Sequence, residues 1–299
     1  MKAGHGQFLA AAALAILVWW KPLRTLVRLA LNQDDYSYVL LVIAVSAALL
    51  LIERWKPGTQ PVRPLAAAVI GVCAIVAGAR LNWQIDYQGS DVRLSLSVLL
   101  FVVFLLAAFF YIYGHAVFAQ MQFPLLLLFL AVPLPQGAIN WLVAGLQHGS
   151  ANAAHLLFQV FRVPVTRDGL VFSFSHLDVE VAEECSGIRS STVLFVTTLI
   201  LARVFLKSGW DRVIAVVCSI PIAIAKNGVR IFTLSILGEY VSTEWLEGSL
   251  HRKGGFIFFV LGMATVTAVI WCLRWKEGRK QFDSKPCPEF PDRLRSSIN

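Results

Sequence analysis

Residues 94–113 read LSLSVLLFVVFLLAAFFYIY, twenty positions without one charged group. A helix rises about 1.5 Å per residue and needs about 20 apolar residues to cross a hydrocarbon core of about 30 Å. This stretch therefore predicts a membrane span. Seven further runs read the same way: Phe8–Leu29 (the weakest), Tyr36–Ile52, Leu65–Ala79, Phe118–Leu134, Gly187–Leu206, Val213–Leu234 and Gly254–Leu273. Hydrophobic residues make up 57% of the chain, whereas soluble domains run at about 45–50% apolar. The expected fold class is an all-α polytopic membrane protein of about eight transmembrane helices, and a water-soluble fold is excluded.

The first run has the length of a signal-peptide core, with Lys2 ahead of it. Trp19, Trp20 and Lys21 follow it, which suits an interfacial anchor better than the small-residue site that a signal peptidase requires. A retained span is the preferred reading. Eight spans put both termini on one side. With Arg203 and Lys226 counted there, that half carries a net charge of +9 and the opposite half −1. The positive-inside bias then makes the terminal side cytoplasmic, with Lys21, Arg24 and Arg28 as exceptions. The same bias accounts for the net charge of +8, and no basic patch interleaves with exposed aromatics, so no nucleic-acid partner is expected.

The short connections leave one sizeable non-spanning stretch, residues 135–184, expected outside the membrane. Its first half has apolar Ile139, Leu142, Val143, Leu146, Leu156 and Val160 with a polar stripe of His148, Asn152, His155 and Gln159, the pattern of a surface helix. Its second half alternates through Leu170, Phe172 and Phe174, then Leu177, Val179 and Val181. Turns are expected at Arg167-Asp168-Gly169 and Ser175-His176, giving a small β-hairpin before the sixth span. Residues 1–275 read as one transmembrane domain and 276–299 as a flexible cytoplasmic tail.

Ionisable groups at a bilayer are costly unless they line a pathway or site. Three stand out. Cys185 lies 22 residues from Lys207, Arg230 lies 18 from Arg212, and His251 lies 23 from Arg274. As helix rise these are roughly 33, 27 and 35 Å, about one bilayer core each, so all three reach the outer lip. Folding the sixth and seventh spans about Gly209 sets Ile188 level with Arg230, provided that Pro221 does not kink the helix. Cys185 precedes a helix whose N–H groups favour an anion, with Arg189 one turn in and Arg230 opposite. These lower a thiol pKa, whereas Glu183 and Glu184 raise it. A thiolate, a His as base and acid, and a guanidinium for the oxyanion are the parts that acyl transfer needs.

Each also has a structural reading: Cys185 as a small packing residue, Arg230 and His251 as interfacial anchors. His148, His155 and His176 compete for the base role but read as solvated or headgroup-facing, and His115 falls on the cytoplasmic side. Asn227, one turn before Arg230, is either a packing amide or a group that holds the Arg. The sequence gives the deep Lys226 no role. Of the five cysteines, Cys73, Cys218 and Cys272 lie within spans and Cys287 in the tail. No disulfide framework, metal motif, phosphate loop or cofactor fingerprint is present, so no metal and no cofactor are expected.

The stretch Ala182-Glu183-Glu184-Cys185-Ser186-Gly187-Ile188-Arg189-Ser190 resembles the nucleophile motif of the exosortase/archaeosortase family. Asn227-Gly228-Val229-Arg230-Ile231 resembles that family's arginine motif, and His251 with Gly255 and Phe256 its histidine motif. Asp35-Tyr36-Ser37 is followed here by Tyr38-Val39, where many relatives place His-Gly near the second span. The resemblance implies a membrane-embedded cysteine peptidase or transpeptidase of the inner membrane, with its site at the outer face. Its substrates would be exported proteins bearing a C-terminal signature, a transmembrane helix and a basic cluster. Cys185 would attack, His251 shuttle protons and Arg230 support the oxyanion, with Arg189, Asn227 and Glu184 in support and membrane lipids as surroundings. The rival class is a non-enzymatic transporter or a scaffold for envelope polysaccharide export.

Overall fold

The computed structural model describes residues 2–52, 64–83, 92–181, 187–241 and 255–283. They form two compact units, residues 1–145 and 146–299. Among the described residues, five helices are long and apolar enough to cross a membrane, or six if a bent pair counts as one span. The chain is a multi-pass helical membrane protein, and its outer surface is correspondingly apolar. Leu51, Leu65, Trp210 and Trp271 are each more than 70% exposed. In water such a surface marks an aggregation liability; in lipid it is the solvated face.

The first unit contains α1 (Lys2–Val18), α2 (Trp20–Asn32), α3 (Tyr38–Ile52), α4 (Leu65–Trp83) and α5 (Val92–Leu127). The run Phe8–Leu29 is not one helix, because α1 and α2 meet at Trp19 with a bend of 79°. The cause lies in side chains the apolar pattern does not weigh. Asn82 donates from Nδ2 to the Val18 carbonyl at 3.0 Å and accepts from Ser97 Oγ at 2.8 Å, so a carbonyl at the helix end finds a buried partner. Trp19 is fully buried against Phe101 and Phe104 rather than anchored at an interface. It fits because position 78 has no side chain: a Cβ on Gly78 would lie 2.1 Å from the Trp19 ring.

The two runs Leu94–Tyr113 and Phe118–Leu134 meet within α5. Gly114, at φ 77 and ψ 175, adopts a backbone that essentially only glycine reaches, and it separates two helical stretches. Residues eight apart in a continuous helix are separated by about 12 Å along the axis. The rings of Phe110 and Phe118 are instead 5.1 Å apart, so the chain turns sharply here. Tyr38 and Val39 are buried, and Tyr36, also buried, donates its hydroxyl to the Leu134 carbonyl at 2.9 Å.

The second unit holds most of α6 (Gln136–Val160), three strands, α7 (Ile188–Phe205), α8 (Gly209–Tyr240) and α9 (Gly255–Asp283). The strands β1 (Thr166–Asp168), β2 (Val171–Ser173) and β3 (Asp178–Glu180) form an antiparallel sheet in that order, where a two-stranded hairpin was expected. Arg167 and Asp168 are strand residues, with Arg167 paired to Phe172, rather than part of a turn. On the inner face Phe172 is fully buried and packs edge-on against Phe158 of α6, in a core shared with Ala154, Val181 and Ile231. The helices α7, α8 and α9 close around Leu194, Ala202, Ala215, Ala223, Val266 and Ile270. The α7–α8 turn is held by Glu277 of α9, whose carboxylate accepts the backbone N–H of Lys207 and Ser208 at 3.1 and 2.7 Å. Here α9 runs on to Asp283, ten residues past Leu273, so the expected tail begins as helix.

Candidate functional site

Cys185, Glu184 and His251 lie outside the described residues; Arg230, Asn227 and Arg189 lie within them. The geometry of the site is therefore that of its walls.

Chain segment 182–186 joins two anchors. On one side, Val181 follows directly after β3, and its carbonyl accepts the Gln147 side-chain amide at 3.0 Å. On the other, Gly187 sits at φ 69 immediately before α7 and lies so close to Asn227 that a Cβ would be 2.8 Å from its Oδ1. Asn227 donates from Nδ2 to Ser150 Oγ at 3.1 Å. Gln147 and Ser150 are three residues apart on α6, so they occupy one face, one above the other. Both are buried, as is Asn227. One turn of α6 thus holds both ends of the segment that carries Cys185.

That turn of α6 also meets α8 at close range. A Cβ on Gly228 would lie 2.5 Å from the Ala153 Cβ and 3.1 Å from the Ala154 backbone nitrogen, and one on Gly149 3.2 Å from Ile224. Glycine at 228 is what lets the Asn-Gly-Val-Arg turn approach α6. Asn227 thus bridges α8 to α6 through Ser150. Arg230, one turn further on, is half-buried, whereas Arg189 is exposed.

Lys226 is the residue that sequence reasoning left without a role. It is 5% exposed, and its Nζ donates to Ser190 Oγ at 2.5 Å. Its aliphatic stem passes Gly262 of α9, where a Cβ would lie 3.1 Å from Cδ. Ser190 in turn donates to the Gly187 carbonyl at 3.1 Å, which also accepts Ser191 N–H at 2.8 Å. A buried ammonium thus ties α8 and α9 to the first turn of α7, and that turn to Gly187. The signal available in sequence was the cost of a charge so deep in a span, together with a Ser in the first turn of the neighbouring helix.

These contacts also fix the α7–α8 register. Lys226 meets Ser190 and Asn227 meets Gly187, so the pairing centres on residues 207–208 rather than on 209. Asn227, not Arg230, is level with the start of α7. The sequence estimate erred because the last turn of α7 ends at Phe205 and residues 206–208 are extended.

His148 is exposed, His155 Nε2 pairs with Gln159 at 3.0 Å while its ring stacks on Phe172, and the exposed His176 donates its backbone N–H to Glu239 at 3.4 Å. His115 lies beyond Gly114 with its ring edge-on to Phe110.

No curated protein and no solved structure matches the chain. A family model described as transmembrane exosortase (Exosortase_EpsH) matches residues 19–268.

Proposed function

The chain belongs to the transmembrane exosortase family, and from that premise we propose that it is a thiol peptidase or transpeptidase cutting C-terminal sorting signals of exported proteins. The observation that carries this reading is the register of α7 against α8. Asn227 meets Gly187, which follows Cys185 by two residues in the sequence, and Arg230 lies one turn further along α8.

In this mechanism the Cys185 thiolate attacks the carbonyl carbon of the scissile peptide bond. The guanidinium of Arg230 faces the oxyanion and makes a charge-assisted contact with it. The C–N bond breaks, the amine leaves with a proton from His251, and a thioester remains. Water or an acceptor amine then attacks the thioester, giving its proton to His251, and thiolate is expelled. Arg189, at the N-terminal turn of α7, adds positive potential that favours thiolate, and Glu184 opposes it. Asn227 sets the height of Arg230 through Ser150. The substrate's own transmembrane helix and basic cluster would hold its signature at the outer lip.

The proposed topology is eight crossings, with both termini cytoplasmic and residues 135–184 outside the cytoplasmic membrane. A straight helix over residues 92–131 would be about 60 Å long, twice a bilayer core. The turn at Gly114 supports counting it as two crossings. The test compares wild type with Cys185→Ser in vesicles containing a tail-signature protein. A thiol nucleophile loses nearly all turnover, because a serine hydroxyl in a thiolate mechanism stays protonated. Full function of Cys185→Ser would point to a transporter or scaffold instead.

A further inference from the structure

The helix α2 reads WKPLRTLVRLALN and contains no acidic residue. At about 100° per residue, Lys21, Arg24 and Arg28 fall within an arc of about 60°. All three are exposed, and among the described residues none has an ion-pair partner. Pro22, Leu26, Leu29 and Ala30 occupy the opposite side and are buried. Between the two faces, bordering the cations, lie Trp20, Val27 and Leu31, which are exposed at 59, 43 and 68%.

A helix of thirteen residues with three faces, packed, apolar-exposed and cationic, suits one environment. Its orientation is built in: the 79° bend is held by the Asn82 side chain on the Val18 carbonyl and by Trp19 over Gly78. Re-entry into the hydrocarbon would put three unpaired charges there, which is costly. Lying along the interface, the helix instead sets Trp20, Val27 and Leu31 against acyl chains and the cations at headgroup height. This also accounts for the three positive charges that departed from the positive-inside pattern, since they belong to an interfacial helix and not to a loop.

We propose that α2 is an anionic-phospholipid site, in which Lys21, Arg24 and Arg28 hold phosphate headgroups of the surrounding leaflet. A basic residue near an anionic bilayer surface is worth about fivefold in binding, so three together give a preference on the order of a hundredfold over zwitterionic lipid. The reading is independent of catalysis, as these residues lie in the other compact unit from Arg230.

The test is native mass spectrometry of the full chain in detergent, titrated with phosphatidylglycerol or phosphatidylcholine, for wild type and the triple variant Lys21→Gln, Arg24→Gln, Arg28→Gln. A second triple variant, Arg274→Gln, Lys276→Gln, Arg279→Gln, controls for loss of charge alone. Wild type and the control are expected to retain phosphatidylglycerol, with release by salt, while the α2 variant loses at least tenfold of that retention at an unchanged melting temperature. Equal retention by the α2 variant, or no preference between the two lipids in wild type, overturns the proposal. So does binding of soluble polyphosphate without a lipid preference, which would assign the cations to a non-lipid polyanion. Should the α2 variant fail to fold, salt displacement and lipid preference in wild type still decide.

Discussion

Replacing Gly187 by alanine tests the wall of the site at its narrowest point. Two costs can be read from the structure. The residue sits at φ 69, where a side chain strains the backbone by about 1–2 kcal/mol. Its new Cβ would also lie 2.8 Å from Asn227 Oδ1 and 3.0 Å from Cγ, so the amide must move by roughly half an ångström. Asn227 is buried and bonded to Ser150, and loosening that bond adds about 1–3 kcal/mol. The total is about 2–5 kcal/mol. Gly169, at φ 59 with nothing within 4 Å of a Cβ, supplies the control, because alanine there incurs only the backbone strain. Thermal melting in detergent should rank wild type above Gly169→Ala, and Gly169→Ala above Gly187→Ala. Turnover of a tail-signature substrate should fall at least about tenfold in Gly187→Ala, since misplacing reacting groups by about 1 Å costs on the order of a hundredfold. Gly187→Ala with wild-type turnover and the melting temperature of Gly169→Ala would refute the claim that Asn227 meters the approach of α7 to α8.

Three further outcomes follow from the same packing. Gly228→Val should destabilise the protein by about 1–3 kcal/mol in thermal melts, because the atoms it meets include the Ala154 backbone, which cannot rotate aside. Ser190→Ala leaves a buried ammonium without its acceptor and should cost about 1.5–3 kcal/mol, whereas Lys226→Met removes the charge itself and should cost less, a ranking that melting curves of the two variants would reverse if Lys226 were not truly buried. Glu277→Gln should leave global melting nearly unchanged while speeding amide exchange at Lys207 and Ser208, as one half-buried carboxylate caps both N–H groups.

Apolar runs carried the fold into view because lipid imposes length and composition on each crossing, and Leu94–Tyr113 or Gly254–Leu273 can satisfy those terms in few other ways. The breaks were harder to see. Gly114 is one glycine among twenty, and only its backbone angles distinguish it. The bend at Trp19 depends on Asn82, 64 residues from the Val18 carbonyl to which it donates, so the run Phe8–Leu29 carries no local mark of it. Trp19 and Trp20 look alike in sequence, yet one is fully buried over Gly78 and the other 59% exposed. Arg230 and Asn227 stand out in the sequence because polar groups near a span end are rare. Gln147 and Ser150 do not, since on a helix already rich in polar residues they differ from His148 and Asn152 only in the face they occupy. Lys226 was conspicuous but uninterpretable until Ser190 and Gly262 were beside it.

The most direct measurement is the C-terminal mass of a tail-signature protein from the same genome, co-expressed with wild type and with Cys185→Ala. The account predicts a tail cut at the signature only with wild type, any added mass identifying the acceptor that resolves the thioester. Identical full-length tails in both strains, with both proteins correctly inserted, would contradict it.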